Sequence, residues 1–149
     1  MATNRLWHNN LEFLGNHLTT KIMLDTNFLF VPSQFHLDIF EELNRLYGQR
    51  IEPLILSSTF EELQKLAKSH SVKKSKQAML GLKLAEKCCV VKIERKNGES
   101  NDDVILQIAV EMKCAVATND RELRRKLRNF GLPVVFLRQK STLAVDGSV

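Results

Sequence analysis

Short apolar blocks and longer amphipathic stretches alternate along this chain. Residues 21–25 (KIMLD), 53–57 (PLILS), 89–94 (CVVKIE), 114–118 (CAVAT) and 133–137 (PVVFL) read as buried strands. They are runs of branched or small apolar side chains, a pattern that suits strands covered on both faces. Between them, apolar residues recur three and four apart, as on one side of a helix. Phe35, Ile39, Phe40, Leu43, Leu46 and Tyr47 form one such face, with Gly48 as its stop. Phe60, Leu63, Leu66 and Ala67 form the next, then Ala78, Leu82, Ala85 and Cys89, then Ile105, Ile108, Ala109 and Met112. Leu123, Leu127 and Phe130 close the series, with Gly131 at the C-terminal cap and Pro133 just beyond. This alternation predicts an α/β fold: a three-layer α/β/α sandwich around a central parallel sheet of about five strands. Residues 1–19 are expected to add a short helix and the tail after about 140 to be loose, leaving a core over 20–138 of a single domain spanning 1–149.

Composition narrows the class of protein. A chain of 149 residues with 44% hydrophobic and 26% charged content can bury a core without disulfide staples. No apolar run approaches the ~18 residues of a membrane span, and MATNRLWHNNLEF has neither the basic start nor the apolar block of a secretory signal. A cytoplasmic location is the expectation. Cys88, Cys89 and Cys114 sit at the edges of apolar runs without metal-ligand spacing, and read as small core hydrophobes. The four histidines, His8, His17, His36 and His70, are scattered away from the acids, so no zinc site is expected.

The acids are placed more tellingly. Asp25 follows KIML, Glu62 lies in the helix after EPLILSSTF, Asp102 opens a helix, and Asp120 follows CAVATN. In a parallel sheet these positions gather along the carboxyl ends of the strands, where such folds carry their sites. Each has a plain structural alternative. Asp25 in LDTN and Asp120 before a helix could simply be caps, and SSTFEELQKL offers overlapping capping boxes from Ser58 to Glu61 and from Thr59 to Glu62. Helix phase separates the candidates. Glu61 shares its face with Lys65 and belongs in solvent, whereas Glu62 borders the apolar side with Leu66. Asp102 projects with Ile105, Leu106 and Ala109, while Asp103 lies further round with Gln107 and Val110. Thr118 and Asn119 add a hydroxyl and an amide at the same edge. Carboxylates brought together repel one another, and bound Mg²⁺ or Mn²⁺ removes that penalty.

With Asp25 in MLDTNFL, Glu62 in EELQKL, Asp102 in NDDVILQIA and Asp120 in VATNDREL, the sequence resembles the PIN (PilT N-terminus) nuclease family over roughly residues 20–138. The wording is most similar to the archaeal and eukaryotic branch linked to small-subunit ribosomal RNA processing; the toxin branch of toxin–antitoxin pairs shares the same acids. The resemblance implies a flavodoxin-like sandwich and a metal-dependent endoribonuclease that leaves 5′-phosphate and 3′-hydroxyl ends. It makes Asp25 and Asp102 central ligands of Mg²⁺ or Mn²⁺, with Glu62 and Asp120 completing the site and Asp103 a further candidate. Asn27 and Thr118 would support the ligands. Pairing into a homodimer, with exposed Phe28, Phe30 or Phe35 contributing, is a further expectation.

Charge points to a polyanionic partner. The net charge is +5 and the pI about 9.2. In DRELRRKLRNFG, Arg121, Arg124, Arg125 and Arg128 lie opposite Leu123, Leu127 and Phe130, a stripe that starts beside Asp120 and could carry RNA. Lys73, Lys74 and Lys76 cluster at a helix start, where the helix dipole disfavours cations, and phosphate contact is a reason to place them there. Two rivals stand beside the nuclease. A phospho-receiver domain would need an acidic pair after the first strand and a lysine after the last, and a non-catalytic RNA-binding scaffold would not need all four acids.

Overall fold

The computed structural model describes residues 20–147. Strands Thr20–Leu24 (β1), Ile51–Leu56 (β2), Cys89–Val91 (β3), Ala115–Ala117 (β4), Val134–Arg138 (β5) and Thr142–Asp146 (β6) form one sheet in the order β3-β2-β1-β4-β5-β6. The first five run parallel, as their apolar blocks predict, and β6 is antiparallel to β5. A 3-10 turn, Thr26–Phe30, leads into helices Val31–Phe35 (α1) and Ile39–Tyr47 (α2). Helices Ser57–Ala67 (α3), Val72–Ala85 (α4), Asn101–Met112 (α5) and Arg121–Asn129 (α6) follow.

Successive strand residues point to opposite faces, so each face builds its own core. Met23, Leu54, Leu56, Val116 and Val134 pack against α5 and α6, through Ile105, Ile108, Leu123 and Leu127. Ile22, Leu24, Ile55, Ala117 and Val135 pack on the other face with Leu43 of α2, Leu63 of α3 and Ala85 of α4. Gly81 makes the close crossing of α3 and α4 possible, because a Cβ there would lie 3.0 Å from Leu63 Cδ2. The chain leaves β1 to build β2 and β3 on one side, then crosses back to β4 and β5 on the other. The crevice between β1 and β4 is therefore the topological switch point.

Several expectations are corrected. The tail after 140 is not loose up to Asp146: it returns as β6, paired from Arg138↔Thr142 to Val134↔Asp146. Phe130 does not face the core and is 61% exposed. Helix α6 ends at Asn129, and the chain then turns through Gly131 at φ 77°. Gly131 N–H donates to Arg128 O and Leu132 N–H to Leu127 O, the Schellman pattern, so Leu132 takes the buried place instead. Neither capping box of SSTFEELQKL forms. The chain enters α3 directly from buried β2, Leu56 is the N-cap, and the Ser58 and Thr59 hydroxyls are buried without partners. Phe28 is fully buried beneath the 3-10 turn, and Phe30 and Phe35 are half-buried, so none of the three is an exposed pairing surface. The short helix expected within residues 1–19 lies outside the described residues.

Candidate active site

Asp25 stands where β1 gives way to the 3-10 turn. Its N–H still donates to Ala117 O at 3.0 Å, so β4 holds the backbone as it bends. One carboxylate oxygen, Oδ1, accepts from Thr26 N–H at 2.8 Å. The other, Oδ2, accepts from the Thr118 hydroxyl at 2.7 Å and from Asn27 Nδ2 at 3.1 Å. Only 6% of the residue is exposed. Burial pushes its pKa up to about 6 against the opposing hydrogen bonds from Thr118 and Thr26, and nearby Asp102 and Glu62 push the same way.

The ends of β1, β4 and β5 are tied together by side chains. Thr118 Oγ1, while donating to Asp25, accepts from Asp120 N–H at 3.1 Å. Asn27 Oδ1 accepts from Asn119 N–H at 3.2 Å, and Asn119 Oδ1 accepts from Leu137 N–H at 2.8 Å. Asn27 and Thr118 thus fix the position of the buried carboxylate, which is what a supporting role requires.

Across the crevice, Glu62 is half-buried on α3 while Glu61 is exposed. Glu62 Oε2 accepts from Asn101 Nδ2 at 2.9 Å and from the Thr26 hydroxyl at 3.3 Å. Asn101, the first residue of α5, was passed over in the sequence; its signal was an amide directly preceding Asp102. Its Oδ1 is buried and has no hydrogen-bond partner. At the same helix start, Asp102 carries a raised pKa, from burial first and then from Asp120, with Lys126 acting against them. Asp120 caps α6 through Oδ1, which accepts from Glu122 N–H at 2.9 Å and Leu123 N–H at 3.2 Å.

Asp25, Glu62, Asp102 and Asp120 line one cavity of ≈ 220 Å³, together with Thr26, Asn27, Phe30 and Asn101. Asp103 is not brought there. It closes a capping box with Ser100, accepting from Ser100 N–H at 3.3 Å while its own N–H donates to Ser100 Oγ at 3.1 Å. Those bonds hold its carboxyl below the usual range. Among the described residues, no lysine, arginine or histidine forms an ion pair with any of the four lining carboxylates.

The arginines of α6 do not make one free stripe. Arg124 and Arg128 lean toward β6, with Arg124 Nε 3.1 Å and Arg128 Nε 3.5 Å from the carboxylate of Asp146. Arg124 also stacks on the Phe136 ring, 3.6 Å from its centroid. Arg125 pairs with Glu122 at 2.6 Å, which leaves Arg121 exposed and unpaired among the described residues. Lys73 and Lys74 are exposed in the first turn of α4, outside the cavity lining.

A mostly parallel sheet in the order β3-β2-β1-β4-β5-β6, with its carboxylates at the β1–β4 crevice, defines a doubly wound α/β protein with an acidic site at its switch point; the flavodoxin order, whose switch lies between the first and third strands, is not the one found. The model of the PIN like domain matches residues 22–140, and the chain belongs to that family. Ribonuclease VapC4 of Methanocaldococcus jannaschii is 35% identical over 130 residues, covering 87% of this chain and 98% of that protein. The rRNA-processing protein fcf1 of Schizosaccharomyces pombe is 30% identical over 141 residues, covering 91% of this chain and 66% of that protein. The structure of the PIN domain endonuclease Utp24 is similar with a TM-score of 0.72 at 28% identity, covering 87% of this chain and 92% of that one. Membership in this family sets aside the phospho-receiver reading.

Proposed function

We propose that this chain is a divalent-metal-dependent endoribonuclease that hydrolyses RNA phosphodiester bonds at the cavity lined by Asp25, Glu62, Asp102 and Asp120. The observation that carries the reading is that four carboxylates line one cavity, one of them buried with its pKa raised to about 6, and that among the described residues none of the four is in an ion pair. Holding such a cluster as anions costs stability, and a bound divalent cation offsets that cost.

The donor set fits Mg²⁺ or Mn²⁺. All its members are hard oxygens, and the orphaned Asn101 Oδ1 adds a neutral one. Among the described residues, no three carboxylate, histidine or cysteine side chains converge into a ready-made cage. That also suits Mg²⁺, which is commonly held by one or two carboxylates while retaining waters and accepting substrate phosphate. Asp25 and Asp102 would hold the ion, with Glu62 and Asp120 at its margin. A bound cation supplies water activation and neutralises charge developing at phosphorus. The protein's own groups do the positioning. Thr118, Thr26 and Asn27 fix Asp25; Asn101 and Thr26 fix Glu62; Lys126 offsets part of the negative charge at Asp102.

The Utp24 similarity supports an endonuclease, and the fcf1 similarity supports a ribosomal RNA precursor as its substrate. The VapC4 similarity, which covers 98% of that protein, favours a second reading, a toxin ribonuclease. The test is cleavage of labelled single-stranded RNA by the full chain in Mn²⁺, Mg²⁺ or EDTA. Cleavage should require metal and be abolished by Asp25→Asn. Glu62→Gln should slow it at least about tenfold, roughly 1.4 kcal/mol in the barrier, while Glu61→Gln leaves it nearly intact. Cleavage that survives EDTA or Asp25→Asn would sink the reading, and metal-independent binding without cleavage would favour the scaffold. Growth arrest on expression, against accumulation of a trimmed rRNA precursor, separates the two substrates.

A further inference from the structure

Next to the acidic cavity lies a larger cleft of ≈ 470 Å³ at the carboxyl ends of β4 and β5. Thr118 belongs to its wall and donates to Asp25 of the acidic cavity at 2.7 Å, so a single hydrogen bond joins the walls of the two spaces. Three guanidinium groups line it: Arg121 and Arg124 from α6, and Arg138 from the end of β5. The strand's alternation explains the third. Phe136 and Arg138 share the face on which Val134 meets α6, while Leu137 points to the other core.

Two of these cations are unspent. Arg124 is engaged by Asp146 and the Phe136 ring, but Arg121 and Arg138 are exposed and have no acidic partner among the described residues. Arg121 moreover opens α6, where the helix dipole disfavours a cation, so its position gains nothing from the helix itself. Aromatic surface accompanies the charge, in Phe35 at the end of α1 and in the Arg124–Phe136 stack. Gln139 completes the rim from the β5–β6 turn, where it and Lys140 hold φ of 53° and 62°. Those two residues are the centre of the turn that Ser141 N–H closes on Arg138 O at 3.3 Å, and positive φ at both is what a tight β-hairpin turn requires, so the hairpin itself sets the position of Gln139.

We propose that this cleft is a nucleotide subsite, which holds the RNA residue adjoining the scissile phosphate. Arg121 and Arg138 bind backbone phosphate, the Arg124–Phe136 stack and Phe35 offer flat surface to the base, and Gln139 reaches its edge. Guanidinium forks match phosphate oxygens, and stacking of a splayed base on aromatic or guanidinium planes is how single-stranded RNA is gripped. The proposal rests on the ribonuclease reading but concerns residues outside the acidic cavity.

The experiment uses the full chain in EDTA and a fluorescein-labelled single-stranded RNA of about six nucleotides, followed by anisotropy across a salt series. Arg138→Gln should weaken binding about tenfold and reduce the salt slope by about 0.7, the release expected for one phosphate on a single strand. Lys83→Gln, an equal loss of charge on α4, should change affinity less than about twofold. The wild type should also prefer this RNA several-fold over the same strand with abasic residues. Equal effects of the two substitutions would overturn the subsite, as would equal affinity for the abasic strand. Binding of a poly-glutamate peptide that depends on Arg138 as strongly as RNA does would overturn it in favour of an acidic protein partner. Metal-dependent cleavage by a wild type whose binding ignores Arg138→Gln removes the subsite and leaves the nuclease. Arg138-dependent binding by a protein that never cleaves keeps the subsite and removes the nuclease.

Discussion

At the scale of residues, the site trades stability for charge. Asp25 has a pKa of about 6 when folded, against 3.8 for the free side chain, because burial outweighs the bonds from Thr118 and Thr26. Between those values the folded state holds the proton more firmly than the unfolded one, so this group's contribution to stability falls as pH rises. Above about pH 6 the penalty is fully developed and amounts to at most about 3 kcal/mol. In urea titrations of metal-free protein, the stability difference between wild type and Asp25→Asn should move against the wild type from pH 4 to 6.5. Saturating Mn²⁺ should reverse that loss. A flat difference would mean that Asp25 titrates as though it were in water. Cys88 and Cys114 show the same physics without function, since burial pushes both thiols up to about 12 and leaves them inert as packing groups.

At the scale of elements, small departures from ideal periodicity decide what a side chain does. The apolar spacing of α6 points to Leu123, Leu127 and Phe130, but the helix stops one residue before Phe130 and the Gly131 turn substitutes Leu132. Leu127→Ala should therefore cost about 2–5 kcal/mol, the range for a leucine removed from a packed core. Phe130→Ala should stay within about 0.5 kcal/mol, as for an exposed position. Urea unfolding of the two variants checks this, and comparable losses would show that Phe130 packs after all. The start of α3 makes a similar point. Ser57, not Ser58 or Thr59, is the engaged hydroxyl: it accepts from Ile93 N–H at 3.0 Å and so fastens the exit of β3 to the start of the helix bearing Glu62.

At the scale of the whole molecule, a net charge of +5 says that polyanions are attracted but not where. The sheet decides the location. Strand β6 brings Asp146 against α6, where it engages Arg124 and Arg128 and removes them from an outward-facing stripe. Asp146→Asn should free both, tighten non-specific RNA binding and steepen its salt dependence, measured by anisotropy in EDTA. Stability should drop by no more than about 1 kcal/mol, because the pairs are part-exposed. Unchanged RNA binding would mean that the two arginines never reach the substrate, paired or free.

The sequence alone determined the parallel α/β core and the edge on which the acids gather. Five apolar blocks separated by helical periodicity leave little freedom in layering, and a carboxylate just past a strand has only one edge to occupy. Helix phase also separated Glu62 from Glu61 and Asp102 from Asp103, since the apolar face of a helix fixes which neighbour turns inward. Only the tertiary structure decided what depends on partners distant in sequence. Asn101 gains its role from Glu62, thirty-nine positions away; Arg124 and Arg128 are drawn out of the outward stripe by Asp146, and Arg124 is set against Phe136. Strand β6 is half-polar and sits on an edge, so its local pattern is weak, and it forms because β5 offers an unpaired row of backbone groups. Local periodicity records which way a side chain faces, whereas the identity of what it meets is set by how the layers close.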